Sequence, residues 1–298
     1  MRPGESAAAS PVRRRLRLAR GPMTIGEPAP SIEPRLATGE PYRPDTIADG
    51  GSAFGLIVRA ASVRGLHKRF VGGPRQDDLC LATHPASSTL IAAVADGVSA
   101  APRSDVGAAL AVRYAAAAVA RQLDGEGRVD WPDVFEQAAW ALVTEARRVG
   151  DDPSVFATTL LVATVCVAAP APEDAVAVQV AAVGDSPAFR LRSRHYDPLV
   201  DSRPSEDGLI GGGVAALPRD ARELMVGSGT LEPGSALLLC TDGVALPLAG
   251  GEGDLARALA RELATPPDVV DFARLLDFSR STYDDDRTLI AVWRPRER

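Results

Sequence analysis

Along the chain, short apolar runs bounded by Gly, Pro, Ser and Asp give way repeatedly to longer stretches with helical spacing. The apolar runs at 54–63, 78–83, 89–95, 156–169, 175–184, 187–192, 235–241 and 288–293 predict strands. Helical spacing at 104–123, 131–149, 253–264 and 267–280 predicts helices. Ser104 or Asp105, close behind Pro102, is placed to cap the first of these, and Asp130, followed by Pro132, to cap the second. Pro266 and Pro267 separate the last two. The strands come in hairpin-like pairs with a helix pair set between the third and fourth, a pattern that predicts antiparallel sheets covered by helices. Residues 1–52 are rich in Pro, Gly, Ser and Arg without an apolar period, and read as a disordered basic leader before an ordered domain at 53–296. The stretch 194–234, which holds Gly211, Gly212 and Gly213, also lacks a clear period and reads as a surface insertion near the functional site.

Composition narrows the classes. Of 298 residues, 46% are apolar and 24% charged, the balance of an ordinary globular protein. A formal net charge of −6 argues against a nucleic-acid partner, which favours a basic field. Cys80, Cys166 and Cys240 lie singly within apolar runs, as expected of reduced thiols in a cytoplasmic protein. His67, His84 and His195 are too scattered to build a zinc site with them. No stretch approaches the roughly 20 apolar residues of a membrane span. The Ala-rich 108–120 stretch is interrupted by Arg113, so it predicts a helix packed on a sheet. Arg13, Arg14 and Arg15 have no apolar segment behind them, which excludes a secretory signal. They read as a disordered basic tail, or as residues upstream of a start at Met23, in preference to a targeting peptide. A monomer without membrane attachment is expected.

Four aspartates bear on the chemistry. Asp96, Asp185, Asp242 and Asp285 each follow or begin an apolar run, in ADGVS, AVGDSPAF, LLLCTDGV and DDDRTLIAV. A carboxylate at the edge of a core needs a hydrogen-bond partner, a base or a cation. Four of them without matching bases point to hard divalent cations, which take oxygen ligands. The pairs Asp96-Gly97 and Asp242-Gly243 admit a second reading as hairpin turns, while glycine also allows a carbonyl to approach a cation.

Six strings in order carry a resemblance: GLHKRFVGGPRQDD (65–78), ADGVSAAPRSDVGA (95–108), FATTLLVATV (156–165), VAAVGDSPAFRL (180–191), LLLCTDGV (237–244) and YDDDRTLIAV (283–292). Together they resemble a bacterial branch of the metal-dependent serine/threonine protein phosphatases of type 2C. The resemblance implies an α+β fold, a four-layer α-β-β-α sandwich with two mainly antiparallel sheets and the metals at one end. It also implies two Mn²⁺ or Mg²⁺ ions, with a third in some members. On these positions Asp96 would bridge the ions, the Gly97 carbonyl would meet the second, and Asp242 and Asp285 would complete the first. Asp77 would act in the outer sphere through water, and Asp185 with Asp242 would hold a third ion. The implied reaction is hydrolysis of phosphoserine or phosphothreonine in a protein substrate by a metal-bridging hydroxide, with Asp96, Asp242 and His67 in the catalytic set.

Several positions depart from the family pattern. The Arg that grips phosphate in better-known members corresponds to Gly72, which leaves His67, Lys68, Arg69, Arg75 and Arg103 as candidates for that contact. Val98 stands where many eukaryotic members carry a His acid, and Gln76 replaces a Glu. Asp284 and Asp286 read as exposed or outer neighbours of Asp285, and Thr158 and Thr159 as strand residues hydrogen-bonded near the site. Ser99 and Ser186 have no triad-like context and are not nucleophile candidates. The alternatives are a catalytically weak or inactive phosphatase-fold regulatory module, and an unrelated carboxylate-metal enzyme acting on nucleic acid, which the acidic balance disfavours.

Overall fold

The computed structural model describes residues 23–37, 44–125, 127–168, 175–200, 214–248 and 253–296. Its strands are β1 (Thr46–Ala53), β2 (Leu56–Val63), β3 (Asp78–His84), β4 (Thr89–Ala95), β5 (Leu160–Cys166), β6 (Val176–Val183), β7 (Ala188–Arg192), β8 (His195–Val200), β9 (Met225–Leu231), β10 (Ala236–Cys240) and β11 (Arg287–Trp293). Its helices are α1 (Leu66–Val71), α2 (Ser104–Gly125), α3 (Trp131–Val149), α4 (Asp242–Leu248), α5 (Asp254–Glu262) and α6 (Val269–Leu276).

Two sheets form, one ordered β1-β2-β11-β10-β7-β8 and the other β3-β4-β5-β6-β9, and every strand pairing in them is antiparallel. Alternation along the central strands explains the layering. In β4, Leu90, Ala92 and Val94 join Leu161, Ala163, Leu237, Leu239, Ile290 and Val292 between the sheets, while Ile91, Ala93 and Ala95 face α2 and α3. In β10, Leu238 and Cys240 point the other way, toward α4, α5 and α6. Strands buried on both faces carry continuous apolar runs. The α-β-β-α sandwich expected from the motifs is the architecture observed.

Alanine brings α2 close to its sheet, with Ala108, Ala111, Ala115 and Ala118 fully buried. On the other side, Trp293 packs edge-on against Phe272 and its indole N–H donates to the Leu263 carbonyl at 2.8 Å. Asp130 caps α3 as expected, its side chain accepting from the Asp133 N–H. At α2 the expectation differs: Ser104 is already the first helical residue, and its hydroxyl accepts from the Gln76 amide at 2.7 Å.

The boundary expected at residue 53 falls after a strand, because β1 pairs with β2 along its length. β1 is an edge strand whose residues are all exposed or half-buried, so it shows no apolar run. Ile25 is also packed in the core beside α6, and Thr24 bridges to Ser279. Residues 1–22, with the arginine cluster, lie outside the described residues. The 194–234 stretch is not a plain insertion: it contains β8 and β9, an edge of each sheet, while Gly211, Gly212 and Gly213 lie outside the described residues. The strand expected at 156–169 is shorter, since residues 153–156 form a 3-10 turn before β5. No helix among the described residues is long and apolar enough to cross a membrane.

Candidate metal centre

Antiparallel pairing brings the C-terminal ends of β4, β6 and β10 and the N-terminal ends of β3, β5 and β11 to one end of the sandwich. Asp96, Asp185, Asp242 and Asp285 therefore meet there and line one cavity of about 380 Å³, together with Val98, Thr159, Leu217 and Arg219. Asp77 is buried in the floor of this end, and Gly97 follows Asp96 directly. His67 lies elsewhere: it is exposed on α1, joined to the site's edge by its backbone N–H, which donates to the Asp284 carbonyl at 3.1 Å. It is not among the residues lining the cavity.

The backbone around Asp96 is fixed by two threonines. The Thr158 hydroxyl and the Thr159 N–H donate to the Asp96 carbonyl at 2.9 and 2.8 Å, and the Asp96 N–H donates to the Thr159 hydroxyl at 3.1 Å. Gly97 then bridges to Thr158. The glycines of the two Asp-Gly pairs serve close approach rather than a left-handed turn, for neither has a positive φ. A Cβ on Gly97 would lie 2.8 Å from the Gln76 carbonyl oxygen, and one on Gly243 would lie 1.9 Å from that of Asp286. Asp242-Gly243 is no hairpin turn either, since it opens α4.

Below the cavity, Asp77 accepts from the hydroxyls of Thr241 and Thr288, both at 2.7 Å. Asp286 is buried, accepting from the N–H groups of Gly65 at 2.7 Å and Gln76 at 2.6 Å. The Lys68 ammonium reaches Asp285 at 3.2 Å and Asp286 at 3.3 Å. Burial opposes charge on that ammonium, but Asp286 and Asp285 outweigh it and hold the lysine above its ordinary range. The other candidates for phosphate contact are engaged. Arg75 is enclosed and donates to the Ser62 hydroxyl and the Asp77 carbonyl. Arg69 pairs with Asp45 and Asp277, and Arg103 stacks over Phe156 and pairs with Asp151.

The carboxylates are crowded. Burial, then repulsion from Asp77 and Asp242 together with hydrogen bonding to Asp242, raises Asp96 well above the usual carboxylate range. Burial and Asp286 push Asp77 up to about 8, and burial raises Asp185 and Asp242 as well. Asp242 Oδ1 is buried without a hydrogen-bond partner, as is Gln76 Oε1. Among the described residues no three His, Cys, Asp or Glu side chains close around a single point as a ready cage. An all-oxygen set with an orphaned carboxylate oxygen still fits Mg²⁺ or Mn²⁺, because Mg²⁺ keeps several waters and uses one or two carboxylates rather than a full protein cage.

The model for protein phosphatase 2C matches residues 64–285, which span every residue of this cavity. The chain belongs to the protein phosphatase 2C family. Solved structures agree in fold. PppA, described as a key regulatory component of T6SS in Pseudomonas aeruginosa, is 21% identical with a TM-score of 0.53, covering 82% of this chain and 99% of its own. The S. agalactiae serine/threonine phosphatase is 15% identical with a TM-score of 0.55, covering 80% and 99%. The catalytic domain of the serine threonine protein phosphatase PstP, solved in complex with 2 manganese ions, is 21% identical with a TM-score of 0.51, covering 80% and 97%. No curated protein matches the chain.

One charged residue of the cavity escaped the sequence reading. Arg219 lines it from the 214–220 segment, part of the stretch read as a surface insertion near the site, but the aperiodic sequence there did not single out this arginine. The only signal was the turn-forming Pro218-Arg219-Asp220 triplet, which says nothing about where the turn points.

Proposed function

We propose that this phosphatase-family chain hydrolyses phosphoserine or phosphothreonine in protein substrates with two bound Mn²⁺ or Mg²⁺ ions. The observation that carries this is the convergence of Asp96, Asp185, Asp242 and Asp285 on one open cavity, with Asp242 Oδ1 left unpartnered. Asp96, the Gly97 carbonyl, Asp242 and Asp285 would hold the pair, and Asp185 with Asp242 a third ion. Bound there, the ions would supply positive charge for the phosphoryl oxygens and lower the pKa of water at neutral pH.

The remaining work falls to the chain. Thr158 and Thr159 lock the Asp96 backbone, so the bridging position does not have to reorganise when charge develops. Thr241 and Thr288 fix Asp77 beneath it. Val98 presents methyl groups to the cavity and no proton, which leaves water to protonate the departing serine or threonine oxygen. Ser186 is buried against Thr159 at 3.2 Å and is no nucleophile, consistent with direct transfer to water.

The Lys68 contact with Asp285 favours the rival reading, a catalytically silent module in which an ammonium serves as the resident cation. An assay on a phosphothreonine peptide and on p-nitrophenyl phosphate separates the two. Turnover that requires Mn²⁺ or Mg²⁺ and stops with EDTA is expected; absence of turnover with both ions defeats the hydrolytic reading.

A further inference from the structure

We propose that Arg219 receives the substrate phosphate, filling the role left open by Gly72; this rests on the hydrolytic reading above. A phosphate monoester entering a cavity lined by four aspartates needs positive charge beyond the metals, and Arg219 is the one cationic side chain among the described lining residues. It is mounted on the same backbone as the metal-bearing turn. Thr158 and Leu217 exchange two main-chain hydrogen bonds, at 3.1 and 2.8 Å, and Thr158 bridges to Gly97 on its other side. The short ladder Gly97–Thr158–Leu217 thus sets Arg219, two residues on, at a fixed offset from Asp96.

The guanidinium itself is oriented. Asp220 is held by the Ala216 N–H at 2.9 Å, while its own N–H donates to the Ala216 carbonyl at 2.9 Å. That anchored carboxylate takes Nε and Nη2 of Arg219, each at 2.7 Å. Among the described residues nothing uses Nη1, so the outer edge formed by Nη1 and Nη2 keeps the two-pronged donor geometry that matches phosphate. The Arg219 side chain is 75% exposed and its Asp220 partner 10%, an arrangement in which the anchor is buried and the fork accessible.

The test measures steady-state kinetics on a phosphothreonine peptide, with Mn²⁺ affinity and peptide affinity followed by calorimetry. Loss of a charge-assisted contact is expected to raise KM about tenfold in R219M, with kcat within about threefold of wild type. Mn²⁺ affinity and the melting temperature should stay unchanged. R219K, which keeps the charge but loses the fork, should fall between, and D220N should raise KM with Arg219 still present. An unchanged KM in R219M, or a KM change that tracks weakened Mn²⁺ binding, overturns the assignment. If wild type binds the phosphopeptide without hydrolysing it, loss of binding in R219M upholds Arg219 while the hydrolytic reading fails. If wild type binds the peptide no better than its unphosphorylated form, both fail.

Discussion

The contact between Asp96 and Asp242 separates function from stability at a single residue. Two partly buried acids face each other; their hydrogen bonding raises Asp96 while lowering Asp242, burial raises both, and the pair carries repulsion whenever both ionise. Asp242→Asn keeps the volume and the hydrogen-bonding capacity while removing one charge. Even outer-sphere partners of metal ligands are worth about 10–100-fold, so loss of a direct ligand should lower Mn²⁺-dependent kcat/KM by more than about 100-fold. Without metal the same variant should melt no lower than wild type, because relief of repulsion offsets any altered contact. A thermal melt in EDTA showing a lower midpoint would make Asp242 a structural residue instead. At this scale the sequence was informative where a residue type and its neighbours constrain chemistry: the four strand-end aspartates do share one cavity. It was uninformative about direction. Arg75 is adjacent to Gln76-Asp77, yet it points inward to Ser62, and Asp286, read as an outer neighbour, is buried and carries two backbone N–H groups.

At the scale of elements, the start of α4 against the start of β11 sets the distance between Asp242 and Asp285. Gly243 permits it, since any Cβ there would lie 1.9 Å from the Asp286 carbonyl oxygen. Gly243→Ala must move one backbone away from the other, and overpacking of this kind costs about 1–3 kcal/mol. For a domain of this size that corresponds to a fall in melting temperature of roughly 5 °C, with Mn²⁺ affinity reduced because the two ligands separate. Gly51→Ala in β1 is the control: no atom lies within 4 Å of its Cβ position, and its melting temperature should be unchanged. Calorimetry and Mn²⁺ titration of both variants check the pair; equal behaviour would remove the close-approach argument. The elements missed by periodicity have a common cause. β1, β8 and β9 are edge strands with mixed burial, and β9 carries Gly227 where Leu199 of β8 crosses it, its carbonyl oxygen 2.1 Å from the Cβ position. An edge strand pairs through backbone on one side only and needs no apolar run, whereas the central strands, buried on both faces, could not lack one.

For the whole molecule, gathering carboxylates at one end of a sandwich makes the apo fold carry its own repulsion. Asp77, Asp96, Asp185 and Asp242 all hold protons more tightly when folded than a free carboxylate does, at about 4. A carboxyl whose folded pKa is raised gives its full contribution below the unfolded pKa. As pH rises, the unfolded chain loses its protons first, so that contribution is lost up to the folded pKa, which for Asp77 is about 8. In EDTA the melting temperature should therefore fall as pH rises from about 4 to 8. Divalent cations replace those protons, so Mn²⁺ at 100 times its Kd should add about 2.7 kcal/mol, or roughly 5–10 °C, at pH 8. At pH 5 the gain should shrink, because protons compete for the same oxygens. Melts across pH with and without Mn²⁺ measure both slopes. A metal-induced rise that is as large at pH 5 as at pH 8 would mean that the ions bind away from these aspartates, and an apo midpoint that climbs with pH would mean that other groups set the stability of this end of the fold.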